Sequence, residues 1–375
     1  MSEMSTEQTW YAIDEVNQMD SPALAIYIER VKQNIELVKH MIGDPSRLRP
    51  HVKTHKSADI TRLLMQAGIS KFKCATIAEA EMLGMCSAPD VLLAYQLNPV
   101  KLQRFFSLIK TYPDTRFSCL IDNLDTAASL SEEAVKLGLL VDVYMDLNVG
   151  MNRTGIVPGE AAIKLYENSA GLPGLALKGL HAYDGHIHAY DVEERRAIFD
   201  RTFAPVEEMI AELKEKGHTD LRMVAGGTPT FAFHAEKKDW ECSPGTFVFW
   251  DEGYLTEVPE QKFLPAALVI TRVVSLPTDY LLCLDLGHKA ISSENPLPQR
   301  VSFLNAPELK VVGHSEEHLM VEAGAGHHWK IGDVLYGLPF HICPTVNLYA
   351  EAETIERKKV SGKMKIIARD RKIVE

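Results

Sequence analysis

Cysteine is scarce in this chain: six in 375 residues, at positions 74, 86, 119, 242, 283 and 343. Spread so far apart, they form no disulfide framework, and a reducing, cytoplasmic setting is the expectation. Five of them read as small buried apolar fillers; Cys343 is taken up below. Long hydrophobic runs are also missing. No stretch approaches the roughly 18 consecutive apolar residues of a membrane span. The opening segment, MSEMSTEQTWYAIDEVNQMD, is polar and acidic and lacks the basic start and apolar core of a secretory signal. Positive charge is in deficit, with 40 Lys and Arg against 51 Asp and Glu. That balance argues against broad nucleic-acid binding, which needs a surplus of cations to neutralise phosphates. No GxxxxGK[ST] occurs, so a P-loop nucleotidase is excluded. EAGAGHHW lacks the third glycine of a dinucleotide fingerprint and lies in β-rich sequence. Internal repeats and low-complexity linkers are absent.

What is present is the composition of a folded globular chain, 46% hydrophobic and 24% charged. From about Pro22 to Tyr254, short apolar runs (LAIYI, FKCATI, DVLLAYQ, FSCLID, VDVYMDL, GLHAYDG, LRMVAGG) alternate with longer helical stretches. VEERRAIFDRTFAPVEEMIAELKEKG shows apolar residues at i, i+3, i+4 spacing, with Gly217 closing it. Such alternation predicts a parallel α/β fold, and the length suits a (β/α)8 TIM-like barrel over residues 22–256. After about Val258 the runs become short and β-type, separated by Gly, Pro, Asn and Asp. Residues 257–375, with part of 1–21, are expected to form an antiparallel β-domain.

RPHVKTHK (Arg49–Lys56) concentrates three cations and two histidines. Pro50 biases Arg49 towards extended backbone. His51 and Lys53, two apart, share one face of a strand, and barrel strand ends are where reactive side chains sit. A lysine there, desolvated and crowded by positive neighbours, has its amine freed as a nucleophile. A solvated basic turn is the competing reading. GGT (Gly226–Thr228) and SPGT (Ser243–Thr246) offer bare N–H groups and hydroxyls that suit a phosphate, or are ordinary turns. Reactive lysine, barrel and phosphate cradle together point to pyridoxal phosphate. In GMNRTG, Arg153 just past a strand end suits an anionic ring oxygen or a carboxylate, or makes a plain salt bridge. In HAYDGHIH, Tyr183 suits stacking on a ring. His186 or His188 suits a base or ligand, unless the pair is mere surface. In FHICPTVN, His341 and Cys343 would share a strand face. Imidazole plus thiolate suits Zn²⁺, and buried filler is the alternative.

RPHVKTHK, GMNRTG, HAYDGHIH, GGTPT, PGTFVF, SEEH and HICPTVNLY, in this order over residues 21–349, resemble the D-threonine aldolase and D-serine dehydratase family. That group is similar to alanine racemase and consists of fold-type III pyridoxal-phosphate enzymes. The resemblance implies a lyase with Lys53 as Schiff-base lysine, Arg153 near the phenolic oxygen and Tyr183 beside the ring. It implies Gly227, Thr228, Gly245 and Thr246 as phosphate loops, and His341 and Cys343 as ligands of a divalent metal (zinc, or else manganese or magnesium). It further implies a homodimer acting on small β-hydroxy-D-amino acids. His-x-Cys is the dehydratase form of the metal pair, whereas PTVNLY and GHIH resemble the aldolases, in which a histidine takes the β-hydroxyl proton. His188 is the candidate for that base. The aldolase reading is placed first, with D-serine or D-threo-3-hydroxyaspartate dehydration as the alternative. An amino-acid racemase using Tyr336 or Tyr349, and a non-enzymatic pyridoxal-phosphate-binding protein, are the further alternatives.

Overall fold

The structure is a computed structural model that describes residues 9–374. The chain divides into two units. A barrel unit comprises residues 37–53, 60–245 and the tail from Asp370; a β-unit comprises the residues up to Glu36, 54–59 and 246–369. All six cysteines are free thiols. No helix among the described residues is long and apolar enough to cross a membrane.

LAIYI, the first run of the expected barrel series, forms β1 (Ala23–Tyr27) in the other sheet. It lies antiparallel to residues 267–270 and parallel to residues 353–355. Four of its five residues are buried, so its apolar run carries no alternation that would tell a barrel stave from a core strand of a mixed sheet.

The barrel unit holds a seven-stranded parallel sheet in sequential order: β2 (Lys71–Cys74), β3 (Asp90–Gln96), β4 (Arg116–Ile121), β5 (Val141–Leu147), β6 (Leu175–Ala182), β7 (Arg222–Ala225) and β8 (Trp240–Cys242). After α1 (Ile28–Ile42) and α2 (Ala58–Gln66), helices alternate with these strands: α3 (Ile77–Met85), α4 (Pro99–Thr111), α5 (Leu124–Leu137), α6 (Glu160–Ala170), α7 (Val192–Glu215) and α8 (Phe231–Glu236). Their starts are written in the sequence. Asn98, Asn123 and Asp191 cap α4, α5 and α7 by accepting from the N–H three residues on. Pro99 suits the first position of α4. α7 buries Phe199, Phe203, Val206, Met209 and Leu213, one stripe at i, i+3, i+4 spacing, against β5, β6 and β7.

The eighth stave is the lysine-bearing segment. Leu48 bridges Cys242 of β8 in parallel, and His51 bridges Lys73 of β2 in parallel. Arg49 N–H donates to Cys242 O (2.8 Å), His51 N–H to Pro244 O (3.0 Å), and Val52 N–H to Lys73 O (2.9 Å); Lys73 N–H returns a bond to Pro50 O (2.9 Å). Residues 48–52 therefore close the ring between β8 and β2. Inside it, Leu92, Leu120, Tyr144 and Val224 form an apolar layer. Towards the strand starts, Arg49 pairs with Asp90 (2.6 Å) and Glu241 (2.7 Å), Lys71 with Glu241, and Arg116 with Asp90 (2.5 Å) and Asp142 (3.6 Å).

The β-unit is a nine-stranded mixed sheet whose further strands are β9 (Ala267–Thr278), β10 (Leu281–Leu284), β11 (Val301–Phe303), β12 (Lys310–His314), β13 (Leu319–Glu322), β14 (Val334–Pro339), β15 (Glu351–Glu356) and β16 (Lys359–Lys365). Every pair is antiparallel except β1 with β15. Two short helices, α9 (Glu252–Glu257) and α10 (Ile342–Val346), lie in its sequence.

Candidate active site

A cavity of about 320 Å³ opens where the staves of the barrel unit end; Lys53, Lys73, Gln96, Asp146, Arg153 and Tyr183 line it. Lys53 follows the closing stave directly, and its N–H donates to His51 Nδ1 at 3.2 Å. Tyr183 follows β6, and its ring gathers three cations. Lys53 Nζ lies 5.7 Å, Lys73 Nζ 5.8 Å and the Arg153 guanidinium 5.2 Å from its centroid. Three positive groups around one aromatic face favour an anionic, flat guest.

Glycines make room for that ring. A Cβ on Gly185 would stand 2.3 Å from Tyr183, and one on Gly227 would stand 3.1 Å away. Gly150 plays the same part for the next loop, where a Cβ would meet the His186 ring at 2.7 Å. His186 thus packs on the loop that carries Arg153.

Beneath the ring lies a polar chain. His181 Nδ1 and Asp146 Oδ1 are 2.7 Å apart, and His181 Nε2 and Lys73 Nζ are 3.4 Å apart. Gln96 donates to Asp146 at 2.8 Å and to Asp122 at 3.0 Å. Burial pulls the Lys73 amine down to about 7, and the nearby Lys53 charge pulls the same way. Burial also lowers His181, with Asp146 opposing. Burial would raise the Asp146 carboxyl, but its bond to His181 wins and holds it low.

The two glycine loops are anchored rather than bare. Gly227 N–H donates to Asp184 Oδ1 (3.1 Å), whose other oxygen pairs with His234 (3.0 Å). Gly245 N–H donates to the buried Thr228 hydroxyl at 3.3 Å. The amide of Gly227 is therefore engaged inside the protein, and its lack of a side chain is what serves the Tyr183 ring. The Ser243 hydroxyl is buried without a hydrogen-bond partner, an orphan that a bound phosphate oxygen would satisfy.

His186 and His188 are exposed and do not line the cavity; His181 does. In the β-unit, His341 and Cys343 do not share a strand face. His341 is the N-cap of α10 and Cys343 lies in its first turn. Pro344, without an N–H, is at home in a first turn and would interrupt a ladder. His341 Nδ1 bonds Glu294. Cys343 Sγ lies 3.2 Å from Thr54 Oγ1 and 3.7 Å from Thr246 Oγ1. Buried Asp251 accepts from the Ile342 N–H at 3.0 Å and fixes the start of the helix. Burial lowers His341, but Cys343 and Glu294 outweigh it and push it up to about 9. Among the described residues, no group of three or more His, Cys, Asp or Glu is placed to hold a metal ion. An imidazole and a thiol do suit a divalent cation that completes its shell with water or substrate.

Sequence reasoning passed over Lys73, Asp146, His181 and Asp184. The usable signal was charge inside a strand: VDVYMDL places Asp142, Tyr144 and Asp146 on one face, and KFKC does the same for Lys71 and Lys73. A carboxylate or lysine pointing into a barrel needs a partner there.

The family model "Alanine racemase, N-terminal domain" matches residues 26–252, and the model "Putative serine dehydratase domain" matches residues 266–355. The chain is 27% identical to a 3-hydroxy-D-aspartate aldolase of Paracoccus denitrificans, covering 94% of this chain and 93% of that one. It is 26% identical to a D-threonine aldolase of an Arthrobacter species, covering 90% and 89%. The crystal structure of D-threonine aldolase from Filomicrobium marinum superposes with a TM-score of 0.86 at 26% identity, covering 94% of this chain and 96% of that one.

Proposed function

Because the chain belongs to the alanine racemase N-terminal-domain family, we propose that the cavity around Lys53 cleaves β-hydroxy-D-amino acids between Cα and Cβ, releasing glycine and an aldehyde. The protein is a pyridoxal-phosphate-dependent lyase, and the relatives it matches are named aldolases. The carrying observation is the Tyr183 ring surrounded by Lys53, Lys73 and Arg153 within 6 Å at the stave ends.

Pyridoxal phosphate, when bound, supplies an electron sink for the bond broken at the substrate's α-carbon. Lys53 would hold its aldehyde carbon and Arg153 its ring oxygen. The Ser243 and Thr228 hydroxyls, with the loop from Gly245 to Thr246, would hold its phosphate. Tyr183, fixed by Gly185 and Gly227, sets the plane in which the ring lies. His188 is exposed and outside the cavity lining, so as the base for the substrate's β-hydroxyl it would take the proton through a water. Asp146 keeps the proton on His181 Nδ1, so that Nε2 faces Lys73 as an acceptor. His341 and Cys343 would hold a divalent cation, which supplies Lewis acidity to a hydroxyl.

One observation favours dehydration as the second reading: the thiol at Cys343 in the metal pair, within the serine dehydratase match. Racemisation is disfavoured, since both candidate tyrosine hydroxyls are committed. Tyr336 accepts from Ile13 N–H (3.3 Å) and Tyr349 donates to Ala290 O (2.7 Å). The deciding experiment incubates the loaded enzyme with D-threonine and identifies the products. Glycine and acetaldehyde are expected. A 2-oxo acid with ammonia replaces the aldolase by the dehydratase, and L-allothreonine alone, the product of inversion at Cα, ends the lyase reading. His188→Ala is expected to slow aldol cleavage about a hundredfold or more while leaving cofactor binding intact; a near-normal rate removes it as the base.

A further inference from the structure

Cleavage of a β-hydroxy amino acid to glycine moves two protons: one leaves the β-hydroxyl, and one must arrive at Cα. His188 serves the first. The second has no donor yet, while one buried amine in the cavity has no task. Lys73 stands on β2 beside the closing stave. Its N–H donates to Pro50 O and its carbonyl accepts from Val52 N–H, both at 2.9 Å, and Lys53 is the next residue along the stave. The two lysines line the same cavity. Their amines border one ring, Lys73 Nζ at 5.8 Å and Lys53 Nζ at 5.7 Å from the Tyr183 centroid.

A buried ammonium is ordinarily matched by a carboxylate. Lys73, 2% exposed, is not: among the described residues no carboxylate lies within ion-pair distance of its amine. The two aspartates whose charge reaches it are engaged elsewhere. Asp146 binds His181 (2.7 Å) and Gln96 (2.8 Å), and Asp184 binds the Gly227 N–H (3.1 Å) and His234 (3.0 Å). What the amine meets is His181 Nε2 at 3.4 Å, an acceptor because Asp146 keeps the ring proton on Nδ1. That contact uses one N–H and leaves the rest for a guest in the cavity. Burial first, then the Lys53 charge, and last Arg49 lower the amine; Asp184 and Asp146 oppose them, and it settles at about 7. An amine poised there loses and regains its proton at neutral pH, as a general acid must.

We propose that Lys73 is a second catalytic amine, which delivers a proton to the substrate's α-carbon after the bond to Cβ has broken. The electron pair freed by that cleavage forms the new C–H bond, the ammonium becomes a free amine, and cavity water returns its proton. The proton given up by the β-hydroxyl balances the one taken up at Cα. Lys53, which would hold the cofactor's aldehyde carbon, has a duty of its own; Lys73 has none and can stay protonated beside the substrate. His181 is a positioning residue that holds the amine. This inference rests on the lyase reading and deepens it.

The group that protonates Cα also deprotonates it in the reverse direction. The loaded enzyme, given glycine alone in heavy water, is therefore expected to exchange one α-hydrogen, followed by proton NMR. Lys73→Ala is expected to slow this exchange about a hundredfold or more, and ethylamine entering the vacated space should speed the variant at least about tenfold. No exchange by the wild type, a wild-type rate in the variant, or a loss that no amine relieves overturns the role. A second measurement needs neither cofactor nor turnover. Trace acetic anhydride labels the free amines of the cofactor-free protein across a pH series, and peptide mass mapping gives the midpoint of each lysine. Lys73 is expected to titrate between about pH 6 and 8, against about 10.4 for an ordinary lysine. An ordinary midpoint, or no labelling at all, overturns the role whether or not the lyase reading survives. Exchange that depends on Lys73 without cleavage of D-threonine counts against the lyase reading alone.

Discussion

At the scale of single residues, Lys73 carries the most tension. The residue is 2% exposed, and its amine lies 3.4 Å from the His181 ring. Burial, helped by Lys53, lowers its amine to about 7, whereas an unfolded chain holds the proton up to about 10.4. Between those values the unfolded state binds more protons, so stability rises with pH; below about 7 the folded protein bears the full cost. Lys73→Met is therefore expected to stabilise the cofactor-free protein at pH 6 by a few kcal/mol, on the order of a fully buried lysine's penalty. The gain should shrink towards pH 10. Urea midpoints at pH 6, 8 and 10 check this, and a gain independent of pH contradicts it. Lys53→Ala is expected to abolish the near-visible absorbance of the loaded protein while leaving its far-ultraviolet dichroism unchanged. Lys53 was legible because Pro50 and the two-residue spacing from His51 mark a strand end rich in cations. Lys73 was passed over although the spacing in KFKC sets it on one face with Lys71, because a strand lysine can equally snorkel to the surface.

At the scale of elements, the closing stave shows what periodicity misses. RPHV pairs through single bridges on each side, too short a run to read as a strand, whereas LAIYI reads as one and serves the other sheet. Alternation identified β2 to β7, the runs from FKCATI to LRMVAGG, because helical stretches separate them; β8, only Trp240–Cys242, is too short to register as a run. It did not say which strand pairs with which. The same limit explains α10: two residues in i, i+2 spacing look alike in a strand and across a helix start, and only Pro344 hinted at the latter. The stave is fixed at its base by Arg49, fully buried between Asp90 and Glu241. Arg49→Met leaves two carboxylates facing each other with less compensation, and a loss of about 3–5 kcal/mol is expected, read as a fall in thermal midpoint. The loop after β6 makes its own prediction. Gly185→Ala puts a methyl 2.3 Å from the Tyr183 ring, so the ring must move. Weaker pyridoxal phosphate retention with little change in unfolding midpoint is expected; equilibrium dialysis beside thermal melts separates the two.

At the scale of the whole molecule, chemistry and stability respond to different treatments. If His341 and Cys343 hold the proposed cation, chelation is expected to abolish turnover while the cofactor's absorbance stays; full turnover after exhaustive chelation removes the metal from the reading. Asp90, Asp146 and Asp184 are each held below the ordinary carboxylate range. Burial raises all three, and Arg49, His181 and His234 respectively overcome it. Their stabilisation is complete above the ordinary aspartate value of about 3.9 and vanishes as pH falls through the lowered values. Acid unfolding is thus expected to set in below about pH 4, and Arg49→Met should move that onset upwards.

The charges inside the barrel also bear on how the staves find their order. From β8 to β5, Glu241, Arg49, Lys71, Asp90, Arg116 and Asp142 are linked in pairs of opposite sign, with Glu241 shared by Arg49 and Lys71 and Asp90 shared by Arg49 and Arg116. A sheet assembled with a stave skipped or slipped would part the fully buried Arg49 from Asp90 or Glu241 and leave its charge uncompensated. The ionic girdle is in this sense an address code for the order of the staves.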